Sequence, residues 1–491
     1  MKLALLFVPV AVAAAPRISP QRVLDDYTRA MGGAKALSRI ETESLAGNLT
    51  EDATGKTGTY ARIVKAPRNL YSEWVLEPEH EITAYNGRSP WSAAAPGGAH
   101  TLTGDDAKQA VSSSLYWNSH LADAKNSRFT LQWIGVEQVH GRDADHLRVT
   151  LSNGGAQDVF FDAQSHLIVR ESTPTEQVDY EDYRPAGGIP VAFRMKILRG
   201  SRQFTVTLTR AEIDMPVEDS VFDFPPARGA PLPDIRTLLD EVNRNQKGID
   251  ELQKEYTCHV RTELFPPDSK GASKGASPAP KVFEAEVFHI DGEEVRHRVA
   301  IDGKPLEGAQ KRKADEDFNK RFARLTRQEA EHQADPKKQA RQEAEDEKDL
   351  STVLSVIQFT NPRRERFRGA DVIAVDFSGK PGVKPKGLLA NFVSKLEGVV
   401  WIDDQAHDMV RLEAHLGNTM KVAGGLVGGV AKGSAVVLEQ AKVNDEVWLP
   451  TYQEIHLSVR LLMLHGNANR IERYSDCKKF RADSTFTVGQ N

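Results

Sequence analysis

Apolar positions along this chain recur with two periods, and the change from one to the other happens twice. Over Pro20 to Ile40, Val23, Tyr27, Ala30 and Met31 fall at helical spacing. Ser19 is placed as an N-cap with Pro20 at the first helical position, and Gly32-Gly33 marks a break or kink. From Glu43 the period drops to two. Tyr60, Ile63, Tyr71, Trp74 and Ile82 lie in short segments separated by Gly, Pro and Asn. Leu147, Val149 and Leu151 alternate with Arg148 and Thr150; Phe204, Val206 and Leu208 alternate with Thr205, Thr207 and Thr209. Such alternation predicts strands with one apolar and one wet face. A run of them with turn signals between predicts an antiparallel sheet.

The plan then restarts. Phe222-Asp223-Phe224-Pro225-Pro226 closes the first domain, and the Gly- and Pro-punctuated stretch that follows reads as a linker. A helix is expected over about Arg236 to Glu255, with Leu238, Leu239, Val242, Ile249 and Leu252 on one side. In the next strand Tyr256, Cys258, Val260, Thr262 and Leu264 share a face. A Pro-, Gly-, Ser- and Lys-rich loop over Pro266 to Pro280 precedes strands at Val282 to Ile290 and Val295 to Ile301.

Residue-by-residue comparison supports a duplication. Asp162, Gln164, His166, Val169 and Arg170 coincide at one offset with Asp403, Gln405, His407, Val410 and Arg411. Upstream, Gly141 before Leu147-Arg148-Val149 mirrors Gly369 before Ile373-Ala374-Val375; downstream, Ile189-Pro190 mirrors Leu449-Pro450. The second copy carries a charge-dense insertion at about 310–358, in which Ala314, Phe318, Phe322 and Leu325 make a narrow apolar stripe. Asp335-Pro336 is placed to open a second helix that ends in Leu350, Val353, Leu354 and Ile357. A solvated helical hairpin packed by one edge is the simpler reading; a lid over a cavity is the sharper one.

The N-terminus adds a destination. Met1-Lys2, the apolar run Leu3 to Ala15 and the small residues Ala11-Val12-Ala13 read as a secretory signal peptide cleaved after Ala13. The run is too short for a bilayer span, which needs roughly 20 apolar residues, and it has no lipobox cysteine. The expected division is a signal peptide at 1–13, a β-domain at 14–228, a linker at 229–236 and a second β-domain at 237–491. With 64 Lys and Arg against 69 Asp and Glu, the chain lacks the basic excess of a nucleic-acid binder.

Candidate chemistry is sparse. The repeated Asp-x-Gln-x-His unit would put Asp162, Gln164 and His166, or Asp403, Gln405 and His407, on one face if the strand ran that far. A metal needs more ligands than that, and the competing reading is a turn capped by Asp, with Val169 and Val410 returning to the core. No H-E-x-x-H or C-x-x-C occurs. The Gly424 to Ser434 stretch lacks the G-K-[ST] ending of a phosphate loop, because Gly433 separates Lys432 from Ser434, and it reads as an apolar loop between strands. No cofactor, metal or catalytic residue is assigned. Cys258 and Cys477 are the two cysteines; an exported chain favours one disulfide between them over two buried thiols.

Several short motifs resemble outer-membrane lipoprotein-sorting proteins, the LolA-like group, in both halves. They are the N-terminal helix, Gly141-Arg142-Asp143 before a strand, Asp162 to Arg170, and the closing Val221 to Pro226; the second half shares its helix, Asp403 to Arg411 and Leu449-Pro450 but not the Phe-Pro-Pro ending. The resemblance implies a mainly β (α+β) fold: two tandem curved antiparallel sheets, incomplete barrels, each wrapped on helices. It implies an apolar concave face that accepts lipid or lipoprotein acyl chains, and it supplies no catalytic residues. Candidates for that face are Tyr60, Trp74, Tyr85, Trp91 and Trp117, each of which also suits plain core packing. Two non-catalytic functions stay open. One is a periplasmic lipid or lipoprotein binder or carrier, at most peripheral to the membrane; the other is an envelope sensor or scaffold with a protein partner. An enzyme is the third and weakest reading.

Overall fold

The chain forms two compact units, Met1–Asp223 and Phe224–Asn491. The structure, a computed structural model, describes residues 19–95, 97–122, 129–225, 231–266, 279–290, 293–334, 351–422, 428–461 and 464–479. The expected signal peptide, Gly229 and Ala230 of the linker, the loop residues 267–278 and the middle of the helical insertion lie outside the described residues.

Unit 1 is built on a thirteen-stranded antiparallel sheet. Its strands are β1 (Thr42–Glu51), β2 (Thr57–Lys65), β3 (Asn69–Leu76), β4 (Glu79–Tyr85), β5 (Pro90–Ala94), β6 (Gly98–Thr101), β7 (Phe129–Val139), β8 (Arg142–Leu151), β9 (Ala156–Asp162), β10 (Ile168–Ser172), β11 (Glu176–Ala186), β12 (Ile189–Arg199) and β13 (Arg202–Ile213). Across the sheet the order is β6-β5-β4-β3-β2-β1-β13-β12-β11-β10-β9-β8-β7. The first and last strands therefore pair at its middle, Glu43 opposite Ile213 and Glu51 opposite Phe204. The sheet stays open, with β6 and β7 at its edges. Helix α1 (Pro20–Ala30) and the short α2 (Ala34–Leu37) precede β1. The helix expected to reach Ile40 breaks between them because Gly32 and Gly33 take φ +95° and +96°, a region that side-chain-bearing residues avoid. Helix α3 (Gly104–Ser119), which the apolar pattern does not announce, crosses from β6 to β7.

Thirteen strands spaced about 4.8 Å apart would make a flat sheet nearly 60 Å wide. Yet Leu45 of β1, Leu76 of β3, Phe129 of β7 and Val159 of β9 join Val23, Leu24 and Tyr27 of α1 in one core. Only a sheet curved around its helices brings those strands to one helix. The alternation read from the sequence sets the inward face: Leu147, Val149 and Leu151 point in, as do Phe204, Val206 and Leu208.

Unit 2 repeats this plan. Helix α4 (Ile235–Gln253) is capped by Asp234, which accepts the Thr237 N–H at 2.9 Å. The strands are β14 (Tyr256–Phe265), β15 (Lys281–Ile290), β16 (Glu293–Ile301), β17 (Lys304–Pro305), β18 (Ile357–Phe367), β19 (Ala370–Gly379), β20 (Leu396–Asp403), β21 (Met409–Leu416), β22 (Met420–Val422), β23 (Gly428–Val430), β24 (Ala435–Val443), β25 (Val447–Leu461) and β26 (Leu464–Lys479). Their order is β17-β16-β15-β14-β26-β25-β24-β21-β20-β19-β18, with β22 and β23 paired beside it. Strand for strand, β14-β26-β25-β24-β21-β20-β19-β18 matches β1-β13-β12-β11-β10-β9-β8-β7. Part of the glycine-rich stretch expected as a loop is strand: Gly429 and Val430 pair with Arg460 and Val459, where the long β25 extends past β24.

The charged insertion occupies the crossover position that α3 fills in unit 1. Helix α5 (Gly308–Ala334) sets Phe318, Phe322 and Leu325 against Phe288, Ile290 and Val295, a helix held by one edge. Residues 351–356 are helical, but Ile357, expected in that helix, begins β18. The Phe-Asp-Phe motif straddles the two units: Phe222 is fully buried in unit 1, whereas Phe224 lies under the Arg363 guanidinium of unit 2, at 5.3 Å.

Cys258 of β14 and Cys477 of β26 are joined, with Cα atoms 4.1 Å apart. Around Cys477 the alternation of apolar and polar positions is mixed, and the structure gives the reason. The β14–β26 register slips between Thr257 and His259, and Asp476 takes φ +51° in the bulge, so the two-residue period breaks at that point.

Candidate functional site

Strand β2 turns Tyr60, Arg62 and Val64 to the inside, and β1 turns Glu43 and Leu45 the same way. Helix α3 lowers Tyr116 and Trp117 onto them, and the β10–β11 pair supplies Glu171 and Tyr180. Except for Tyr60 and Val64, these groups line an inner cavity of about 110 Å³, with His120, Tyr27, Tyr183 and the apolar Leu121, Ile168 and Met195 completing much of its wall. Arg62 and Trp117 separate it from a second space of about 70 Å³ lined by Tyr60, Trp74 and Ile197. Trp117 also lines a groove of about 520 Å³ beyond, which shares Gln109, Glu176 and Arg199 with the second space. One side chain of α3 thus borders all three.

Five of the polar groups inside are paired with one another. The Arg62 guanidinium donates to Glu43 at 2.9 Å and stacks over the Trp117 ring at 4.5 Å. Glu171 accepts from the Tyr116 and Tyr180 hydroxyls, each at 2.7 Å. Burial pushes the Glu171 carboxyl above its ordinary range, against the two hydroxyl hydrogen bonds and the Arg62 charge that favour ionisation. Burial also lowers the His120 imidazole, which is therefore neutral near pH 7. A carboxyl that holds its proton more tightly when folded stabilises fully below its ordinary value of 4.5 and loses that contribution as pH rises through the raised value. Unit 1 should therefore lose stability with rising pH in this window, and Glu171→Gln should flatten the slope. Hydrogen exchange of the full chain across pH, read in unit 1, checks this; an unchanged slope would refute it.

The five aromatic candidates divide. Tyr60, Trp74 and Trp117 line the inner spaces, with Tyr60 edge-on to Trp74 at 5.6 Å and Trp74 edge-on to Phe204 at 5.5 Å. Arg199 caps Trp74 at 4.0 Å. Tyr85 and Trp91 are buried elsewhere. Tyr85 packs on Val64 and Leu70, and the Trp91 indole N–H donates to the Phe222 carbonyl at 3.0 Å, tying down the end of the unit. Arg62, Glu43 and Glu171 were not singled out from the sequence. Their signal was phase: Arg62 sits in the apolar phase of β2 between Tyr60 and Val64, and Glu43 in the apolar phase of β1.

The repeated Asp-x-Gln-x-His unit is a turn, because β9 stops at Asp162 and β20 at Asp403. Asp162 accepts the backbone N–H groups of Gln164 at 3.0 Å and Ser165 at 2.7 Å; Asp403 accepts those of Gln405 at 3.0 Å and Ala406 at 2.6 Å. His166 and His407 take φ +59° and +55°, and Val169 and Val410 return to the core. No metal-ligand grouping occurs among the described residues.

The corresponding space of unit 2 is charged. Beneath α5 lies a groove of about 670 Å³ lined by Glu294, Arg296, Arg298, Asp317, Arg321 and Arg470. Glu472, fully buried beside it, pairs with Arg296 and accepts from Thr262 at 3.0 Å. Burial opposes the Glu472 charge, but Arg296 outweighs it and holds the carboxyl below its ordinary range.

No family model matches the sequence, and no curated protein matches it. Solved structures do. A DUF1329 family protein from Desulfovibrio piger is 14% identical, over 42% of this chain and 97% of its own, with a TM-score of 0.30. A LolA superfamily protein from Nitrosomonas europaea is 12% identical, over 42% and 97%, at 0.28. The MucA/MucB complex structure from Pseudomonas aeruginosa is matched at 10% identity over 94% and 99%, at 0.16. Each likeness is one of fold alone.

Proposed function

We propose that unit 1 binds lipid, or the acyl chains of lipoproteins, along the path from its inner cavity past Trp117 to the outer groove, and that the chain is an exported envelope protein with a binding rather than a catalytic role. The observation that supports this is Trp117, which borders the inner cavity with its many apolar side chains, the second space with Tyr60, Trp74 and Ile197, and the outer groove. Size sets the binding mode. Small-molecule pockets run to roughly 300 Å³ or more, so the inner cavity of about 110 Å³ holds only part of a chain and the rest lies in the outer groove. The buried ionisable groups support a binding role, since Glu43 and Glu171 are each held by hydrogen-bond donors from the wall. No helix among the described residues is long and apolar enough to cross a membrane.

A second reading, an envelope sensor or scaffold with a protein partner, draws its support from unit 2, where the counterpart space is polar and charged.

Native mass spectrometry of the mature protein purified from an envelope extract separates the two. Added mass of acyl-lipid size, lost on delipidation, is the expected result. A bare mass at every protein concentration would overturn it and favour the sensor. Trp117→Asp puts a charge where all three spaces meet and should weaken lipid binding by about tenfold or more. Unchanged binding with intact folding would count against the cavity.

A further inference from the structure

We propose that Arg62 recognises the carbonyl of an acyl ester or amide, so that the cavity prefers neutral acyl ligands to free fatty acids; this rests on the reading of unit 1 as a lipid-binding cavity. Arg62 is only 9% exposed and lines both inner spaces. Its Nη2 donates to Glu43, but its Nε has no hydrogen-bond partner among the described residues. A buried N–H left without an acceptor is costly, and a ligand that brings one recovers that cost on binding.

Two features select the acceptor. The first is charge. The inner cavity has two carboxyl side chains, Glu43 and Glu171, against one guanidinium, and its His120 is uncharged near neutral pH. A ligand carboxylate would bring a third acid group into a space where charges are poorly screened. A carbonyl brings lone pairs without charge. The second is position. Arg62 stands between two spaces rather than at the blind end of one. An ester or amide has a substituent on each side of its carbonyl and can run through such a point. A fatty-acid carboxylate ends the chain and leaves one of the two spaces unfilled.

The test is displacement of a fluorescent apolar probe from the full-length protein by methyl laurate, laurate and dodecane at neutral pH. Methyl laurate should act at about tenfold lower concentration than either of the others, the effect of one buried hydrogen bond in the right place. In Arg62→Met/Glu43→Gln, which removes both buried charges together, the ratio of methyl laurate to dodecane should fall to about one. Equal displacement by the three ligands of the unmutated protein, or stronger displacement by laurate, would overturn the role of Arg62 and leave the cavity reading intact. Displacement by none would overturn the cavity reading as well. Should the double variant fail to fold, the comparison of ligands on the unmutated protein decides alone.

Discussion

Replacing Cys258 and Cys477 together with alanine should destabilise unit 2 by about 5 kcal/mol, the chain-entropy value for a loop of this length, and leave unit 1 as it was. The two residues are 219 apart in sequence and join β14 to β26, the first and last strands of their sheet. An unfolded chain loses most freedom when a long loop is closed, so this bond restrains nearly the whole of unit 2 before any strand has paired. Hydrogen exchange of the full chain resolves the units: protection should fall in β14, β25 and β26 and stay unchanged in β1 and β13. A thiol count under denaturing conditions is the companion measurement. Two reactive thiols before reduction would rule out the bond, and equal protection in both proteins would rule out its contribution.

Arg363→Met should cost about 3–5 kcal/mol, the range for removing one partner of a buried ion pair. The Arg363 guanidinium donates to Asp376 at 2.8 Å and to the Asn361 carbonyl at 2.9 Å, and lies 3.8 Å from Glu365. The side chains of Arg363 and Asp376 are each 3% exposed. Methionine fills much of the volume but leaves Asp376 buried without its countercharge. Arg363→Met/Asp376→Leu removes both charges and should recover at least half of the loss. Urea unfolding of the full chain, compared across the three proteins, measures this. A single variant within about 1 kcal/mol of the parent, a surface-pair value, would show that the pair is better solvated than its burial indicates.

Much of the fold was legible because it is written in short-range patterns. Two-residue alternation in β8, β13 and β14 gave both strands and facing, and Asp162 and Asp403 revealed the duplication through a turn that needs a side-chain acceptor there. What was missed depends on pairing across long separations. Helix α3 is weakly patterned, because it lies across the open sheet with buried residues at Ala110, Ser114 and Tyr116 rather than along one apolar stripe. The cavity brings together residues 43, 62, 116, 117, 171 and 180, which no local window contains. Aromatic content alone pointed as readily to Tyr85 and Trp91, which line none of the three spaces, as to Trp74 and Trp117, which do. The better guide was the charged residue in apolar phase: Arg62 and Glu43 are costly to bury unless paired, and their strands nonetheless turn them inward.

In each unit the opening strand lies beside the closing one. Thr42 and Glu43 enter the sheet of unit 1 next to Ile213, where its last strand ends, and Tyr256 enters the sheet of unit 2 opposite Lys479. Entry and exit of the chain thus share one spot on each sheet, like the clasp of a bracelet. A second copy can be threaded on after the first without breaking a strand in either. By the same geometry, a circularly permuted unit 1, its old ends linked and new ones opened before α3, would retain all twelve strand pairings of the sheet.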